Sequence, residues 1–191
     1  MKLHYMGKYD LNPESLPAKP HKPNYVKFKE PENTKKLSTI TTIIVIPLLV
    51  ILSIPIFLHG YQEACKAIGI GSIFTLFVLF PHEILHAICF KEDVYLFTNL
   101  RQGMLFVVGP EDMSKIRFIF MSLLPNIILG FIPYMIFLVK PNLVILGAFG
   151  VINIATGAGD YLNVFNAITQ MPKGSRTYLH HFNSCWYIPE E

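Results

Sequence analysis

Two imidazoles four residues apart, with a carboxylate beside the first, stand inside an apolar stretch, Phe80-Pro81-His82-Glu83-Ile84-Leu85-His86-Ala87-Ile88-Cys89. On a helix, residues at i and i+4 project from nearly the same face about one turn apart, so His82 and His86 can ligate one metal ion. Glu83 then lies beside the metal rather than on it, where hydrolysis needs a general base. A chance pattern on a hydrophobic helix is the competing reading. Against it stands the cost of an acidic side chain in lipid surroundings, roughly 2.5–3.5 kcal/mol on the mildest scale. Cys89, one turn past His86, is read as a small buried hydrophobe rather than a further ligand.

The composition says what kind of chain must position these groups. Of its 191 residues, 52% are hydrophobic and only 15% charged, and mean hydropathy is positive, as in a membrane protein. The net charge of +3 is modest, and no basic face interleaved with aromatics points to nucleic acid. Cys65, Cys89 and Cys185 form no CxxC and no even framework, which argues against a disulfide scaffold and a thiolate metal site. No cleavable leader is read in the polar, Pro-rich beginning.

The expected fold class is an all-α polytopic membrane protein, with four transmembrane helices and a small β-hairpin between helices two and three. Residues 1–37, with eight lysines and five prolines, read as an extended, mostly unpacked tail. Its lysines either lie against anionic headgroups or are simply solvated. The membrane domain is assigned to 38–170, with a core at 67–170. Its spans are Ser38–His59, Ala67–Phe90, Phe118–Val139 and Asn142–Ile168. Pro47 and Pro55 are expected to kink the first. Within 91–115, the β-prone runs Val94–Phe97 and Met104–Val108 predict the hairpin. Residues 171–191 form a second tail, in which Tyr178, Trp186 and Tyr187 are read as anchoring it at the interface or packing on the hairpin rather than binding a cofactor. His180 and His181 are adjacent, so on a strand they point to opposite faces and are poor joint ligands.

Four crossings put both tails and the loop between spans two and three on one side. That side collects 14 basic residues against Lys66 and Lys140 opposite, so both termini are expected to be cytoplasmic, in the cell membrane. Spans two and four then both run inward. His82 and Asp160 each precede the end of their span by eight residues, roughly 12 Å below the cytoplasmic boundary. Two separate stretches thus place a His pair and a carboxylate at one level. The alternative for Asp160 is a polar residue joining helices, but no Lys or Arg is available to it at that depth.

His82-Glu83-x-x-His86 on one apolar span, with Gly159-Asp160 two spans later, resembles the site-2-protease-like membrane zincins. More narrowly it resembles the bacterial putative zincin peptidase family, over roughly Ala67 to the C-terminus. The resemblance implies that His82, His86 and Asp160 bind zinc and that Glu83 activates water. It also implies a three-helix core made by spans two to four, with strands after the first core helix. The chain departs from the Asn-Pro-x-x-Asp-Gly type motif of the better-known site-2 proteases, carrying Asn153-Ile154-Ala155-Thr156-Gly157-Ala158-Gly159-Asp160 instead.

The function expected from these residues is a membrane-embedded zinc metalloprotease working near the cytoplasmic face, with the bilayer and a protein or peptide substrate as its partners. A catalytic zinc keeps one position open to water. Gly157 and Gly159 are expected to let another backbone approach span four. Asn126 and Asn153 either bind the substrate backbone or oxyanion, or merely join helices. The hairpin edge can take an extended substrate by strand addition. A non-catalytic polytopic metal-binding or carrier protein using the same His, His and Asp is the alternative, and a degenerate scaffold is a third reading. Only the enzyme needs Glu83 as a base.

Overall fold

Whether the polar groups of a mostly apolar chain find partners depends on how its elements are cut and paired. The structure, a computed structural model, describes residues 1–31, 34–181 and 183–190, with Thr34 by backbone alone. The chain divides into two compact units.

One unit comprises Met1–Glu30, Glu83–Ser122 and Asn163–Glu191 and carries both sheets. Strand β1 (Leu3–Lys8) pairs in parallel with β3 (Val94–Asn99), which pairs antiparallel with β4 (Met104–Val108). The second sheet is antiparallel, in the order β2 (Val26–Lys27), β7 (Asn183–Tyr187), β6 (Arg176–His180), β5 (Met113–Ser114). Tyr9 and Leu16 are buried with Phe97 on the first sheet. Phe28 is buried with Ala167 and Met171, against which Trp186 packs.

The other unit comprises Pro31–His82 and Leu123–Leu162. Helices α1 (Thr34–Phe57) and α2 (Tyr61–Phe77) pack against α6 (Val144–Thr156), as does the segment made of a π-helical turn (Asn126–Phe131) and α5 (Ile132–Val139). Glycine sets how closely they approach. A Cβ on Gly150 would stand 2.7 Å from the Tyr134 backbone nitrogen, and one on Gly71 would stand 2.8 Å from that of Phe149. Gly159, expected to serve this purpose, has nothing within 4 Å of such a Cβ. The outer residues Ile43, Val50, Ile51, Leu76 and Phe77 are exposed and apolar.

Two helices, Lys35–Phe57 and Lys115–Val139, are each long and apolar enough to cross a membrane. Two others qualify only as bent pairs. Helix α2 is followed at 48° by α3 (Leu79–Ala87), and α6 at 49° by α7 (Ala158–Gln170). Among the described residues there are thus two to four candidate spans, which is compatible with a membrane protein. The first break has a local cause. Pro81 has no N–H to offer the carbonyl four residues earlier, and α2 ends at that residue, Phe77.

The expectation of an all-α protein with four transmembrane helices is therefore corrected. Helices hold 57% of the chain, and among the described residues seven strands form two sheets. The expected hairpin is present as β3 and β4, but it is two strands of seven. The stretches read as tails supply β1, β2, β6 and β7. Their strands are short and their partners distant, as with Leu3 opposite Val94, so no local periodicity announced them.

One polar cluster ties the end of α3 to the start of α4 (Lys115–Pro125). The Glu111 carboxylate accepts from the Lys91 and Glu92 backbone N–H groups and pairs with the Arg117 guanidinium. Arg117 also donates to the Cys89 carbonyl just beyond α3, with Nε at 2.9 Å. Burial pushes the Glu111 carboxyl up, but the Arg117 guanidinium and the two N–H groups outweigh it and hold it below the usual glutamate range.

Two outcomes are expected in detergent micelles. Gly150→Val should cost about 1–3 kcal/mol through overpacking, read as a lower thermal midpoint, while Gly69→Ala, with nothing within 4 Å of the new Cβ, should not lower it. Because the folded pKa of Glu111 is depressed, its contribution is complete above the ordinary glutamate pKa and is lost as pH falls through the folded value. Glu111→Ala should leave Arg117 without its partner, cost about 3 kcal/mol near neutrality, and flatten the acid limb of the stability profile.

Candidate metal centre

Helix α3 has nine residues, and Pro81 occupies its first turn, where a missing N–H costs little. The helix places donor atoms of His82, Glu83 and His86 within 4.8 Å of one another. Among the described residues no other group of three or more His, Cys, Asp or Glu meets that standard. The division between the two units falls inside this helix, between His82 and Glu83.

In the sheet-bearing unit, Glu83 and His86 each take a distant backbone partner. Glu83 Oε2 accepts the Val107 N–H at 2.9 Å. Val107 lies opposite Leu96 on β3, yet its N–H is given to Glu83. The Leu96–Val107 pair is therefore a non-hydrogen-bonded one, and the outer edge of β4 is turned to α3. His86 Nδ1 lies 2.9 Å from the Met121 carbonyl on α4. A carbonyl only accepts, so Nδ1 carries a proton, and in the neutral ring the lone pair is then on Nε2. That is the arrangement a metal-ligating imidazole takes.

In the helical unit, His82 Nε2 lies 3.4 Å from Asp160 Oδ2, near the start of α7. The same oxygen accepts from Asn126 Nδ2 at 2.7 Å. A Cβ on Gly157 would stand 1.6 Å from Asn126 Oδ1, so the amide fits there only because that residue is glycine. Gly157 is also the break between α6 and α7, and this break forms the notch. The Tyr161 hydroxyl donates to the Ile154 carbonyl at 2.8 Å and stands 3.4 Å from Asn126 Oδ1.

Of the residues singled out in the sequence, His82, Glu83 and His86 share one helix, and Asp160 with Asn126 adjoins His82. Asn153 goes elsewhere. Its amide donates to Thr75 Oγ1 at 3.1 Å and to the Phe149 carbonyl at 2.8 Å, joining α6 to α2. The Cys89 thiol, just beyond α3, donates to the Leu85 carbonyl within it. His180 Nδ1 donates to the Lys19 carbonyl at 2.8 Å, and its ring lies 3.9 Å from that of His21, a packing role. The Val107 N–H and the Met121 carbonyl were missed, because main-chain groups carry no residue-type signal.

Replacing Gly157 should be more damaging than its small size suggests. Gly157→Ala must displace the Asn126 amide and with it the bond to Asp160. We expect lower metal occupancy with the fold retained, measured by metal analysis and circular dichroism on the same sample.

Residues 73–176 match the family described as "Putative zincin peptidase", a stretch that takes in His82, Glu83, His86, Asn126 and Asp160. No curated protein and no solved structure matches the chain. The family points to a metallopeptidase and implies zinc, and α3 carries a His/Glu group fit for it. With more than half of its length matched, the chain belongs to the putative zincin peptidase family.

Proposed function

We propose that this protein is a membrane-embedded zinc metalloprotease in which His82, His86 and Asp160 hold the metal and Glu83 is the general base. The observation that carries the reading is the convergence of His82, Glu83 and His86 donor atoms within 4.8 Å on one helix. The donor chemistry suits zinc, since two neutral imidazoles and a carboxylate leave a fourth position for water. The His86 tautomer fits a ligand through Nε2. The 3.4 Å separation of His82 and Asp160 supports the carboxylate as the third ligand.

When bound, zinc lowers the pKa of water toward neutrality and polarises the scissile carbonyl. Glu83 takes the proton from water as it attacks, then delivers that proton to the departing amine. Val107 steadies the Glu83 carboxylate beforehand through its N–H. Asn126 orients Asp160, and of the two amides it is the one proposed to reach the substrate.

β4 is an edge strand of its sheet, and its outer edge is proposed to take an extended peptide by strand addition at positions other than the Val107 N–H that Glu83 holds. This supports cleavage of an extended rather than helical segment, because a peptide bond inside a helix is closed to attack. Two to four apolar spans and the bias of basic residues support membrane embedding with both termini cytoplasmic and the site near that face. The lipid bilayer and a protein or peptide substrate are the proposed partners.

Glu83→Gln should keep zinc and lose cleavage by about 10²–10⁴-fold, whereas His86→Ala should lose the zinc itself. Metal analysis of the purified variants and the accumulation of precursors in membrane proteomes provide the readouts. Unchanged cleavage by Glu83→Gln would reject the base, and zinc retention without any cleavage in the wild type would favour a metal-binding or carrier protein. Peptides methylated on the backbone nitrogens around the cleaved bond should be cut at least about tenfold more slowly, since each methyl removes a donor from strand pairing. An unchanged rate would reject strand addition.

A further inference from the structure

The acceptor for His86 is a helix carbonyl, and such an oxygen ordinarily belongs to the N–H four residues on. For Met121 that residue is Pro125, which has no N–H. We propose that Pro125 is a positioning residue for the metal centre. It leaves the Met121 oxygen without its helical donor, and that oxygen takes the Nδ1–H of His86 at 2.9 Å.

A carbonyl held by its own helix points along the axis, and a second donor reaches it only from the side. Released from that bond, it tilts outward and accepts from a neighbouring element. His86 is thereby locked with its proton on Nδ1 and its lone pair on Nε2. Without such an acceptor an imidazole samples both tautomers and more than one ring orientation, and each metal-binding event must first select one.

The residue after the proline acts on a second proposed ligand. Asn126 opens the π-helical turn and donates to Asp160 Oδ2 at 2.7 Å. A π turn widens the helix by one residue and is frequent at functional sites. Consecutive residues of one interrupted helix therefore serve two of the proposed ligands. Pro125 acts on His86 through the main chain, and Asn126 acts on Asp160 through a side chain.

The inference rests on the zinc reading and is tested with the full chain in detergent micelles. Zinc affinity is measured by competition with a chromophoric chelator for wild type, Pro125→Ala and Pro47→Ala. Pro47 lies inside α1, which supplies none of the proposed ligands. Imidazole nitrogen shifts are read by NMR on metal-free protein at about pH 8, above the ordinary histidine range, with His86 assigned by its loss in His86→Asn. Pro125→Ala should weaken zinc about ten- to hundredfold and turn the single Nδ1–H tautomer of His86 into a mixture, with Pro47→Ala like wild type in both. Affinity and tautomer both unchanged in Pro125→Ala, in a wild type that binds zinc, would overturn this inference alone. A wild type that takes up no zinc would overturn the zinc reading with it. Should Pro125→Ala fail to fold, the metal-free wild type still decides, because an Nε2–H tautomer of His86 there would overturn the proposal.

Discussion

A polar group among apolar helices must find a partner, because an unmet donor or acceptor there costs several kcal/mol. That constraint accounts for where the helices of this chain are interrupted. Helix α2 stops at Phe77, whose carbonyl is denied a donor by Pro81, and the next helix carries His82, Glu83 and His86. Helix α6 stops at Gly157, and the next carries Asp160. Helix α4 runs into Pro125, then a π turn that begins at Asn126. Each interruption frees main-chain groups or opens a notch, and a nearby polar side chain uses it. Interrupted helices are what let an apolar chain hold ionisable chemistry.

The sheet-bearing unit meets the same demand by different means. Glu83 and His86 take their partners from the main chain of β4 and α4, at Val107 and Met121. Such partners cannot rotate away as a side chain does, so the geometry they impose is set by the fold. The Glu111–Arg117 pair adds rigidity at the far end of α3, because Arg117 holds the Cys89 carbonyl and the Lys91 and Glu92 N–H groups hold Glu111. The end of α3 is thus followed at once by a defined contact at Cys89. A short helix fixed in this way presents its side chains with little freedom, as a site that must bind a metal requires.

Much of this protein was legible without coordinates. The pairing of His82 with His86 and the seat of Glu83 between them follow from helical periodicity alone, because i and i+4 meet on any helix. The apolar runs and the β3–β4 hairpin are likewise local, carried by composition and strand propensity within a few residues. Non-local pairing is different in kind. That Leu3 lies opposite Val94, or Val26 opposite Trp186, is decided by packing between distant segments. Short polar strands carry no periodicity to reveal it, and so the tails read as unpacked. The same divide separates Asn126 from Asn153. Both are amides on apolar helices, and only the assembled fold sends one to Asp160 and the other to Thr75. Sequence alone determined which groups could do chemistry, since that depends on residue type and helical spacing. Tertiary structure alone decided which main-chain atoms hold Glu83 and His86 in place, because those contacts form only when distant parts of the chain close on one another.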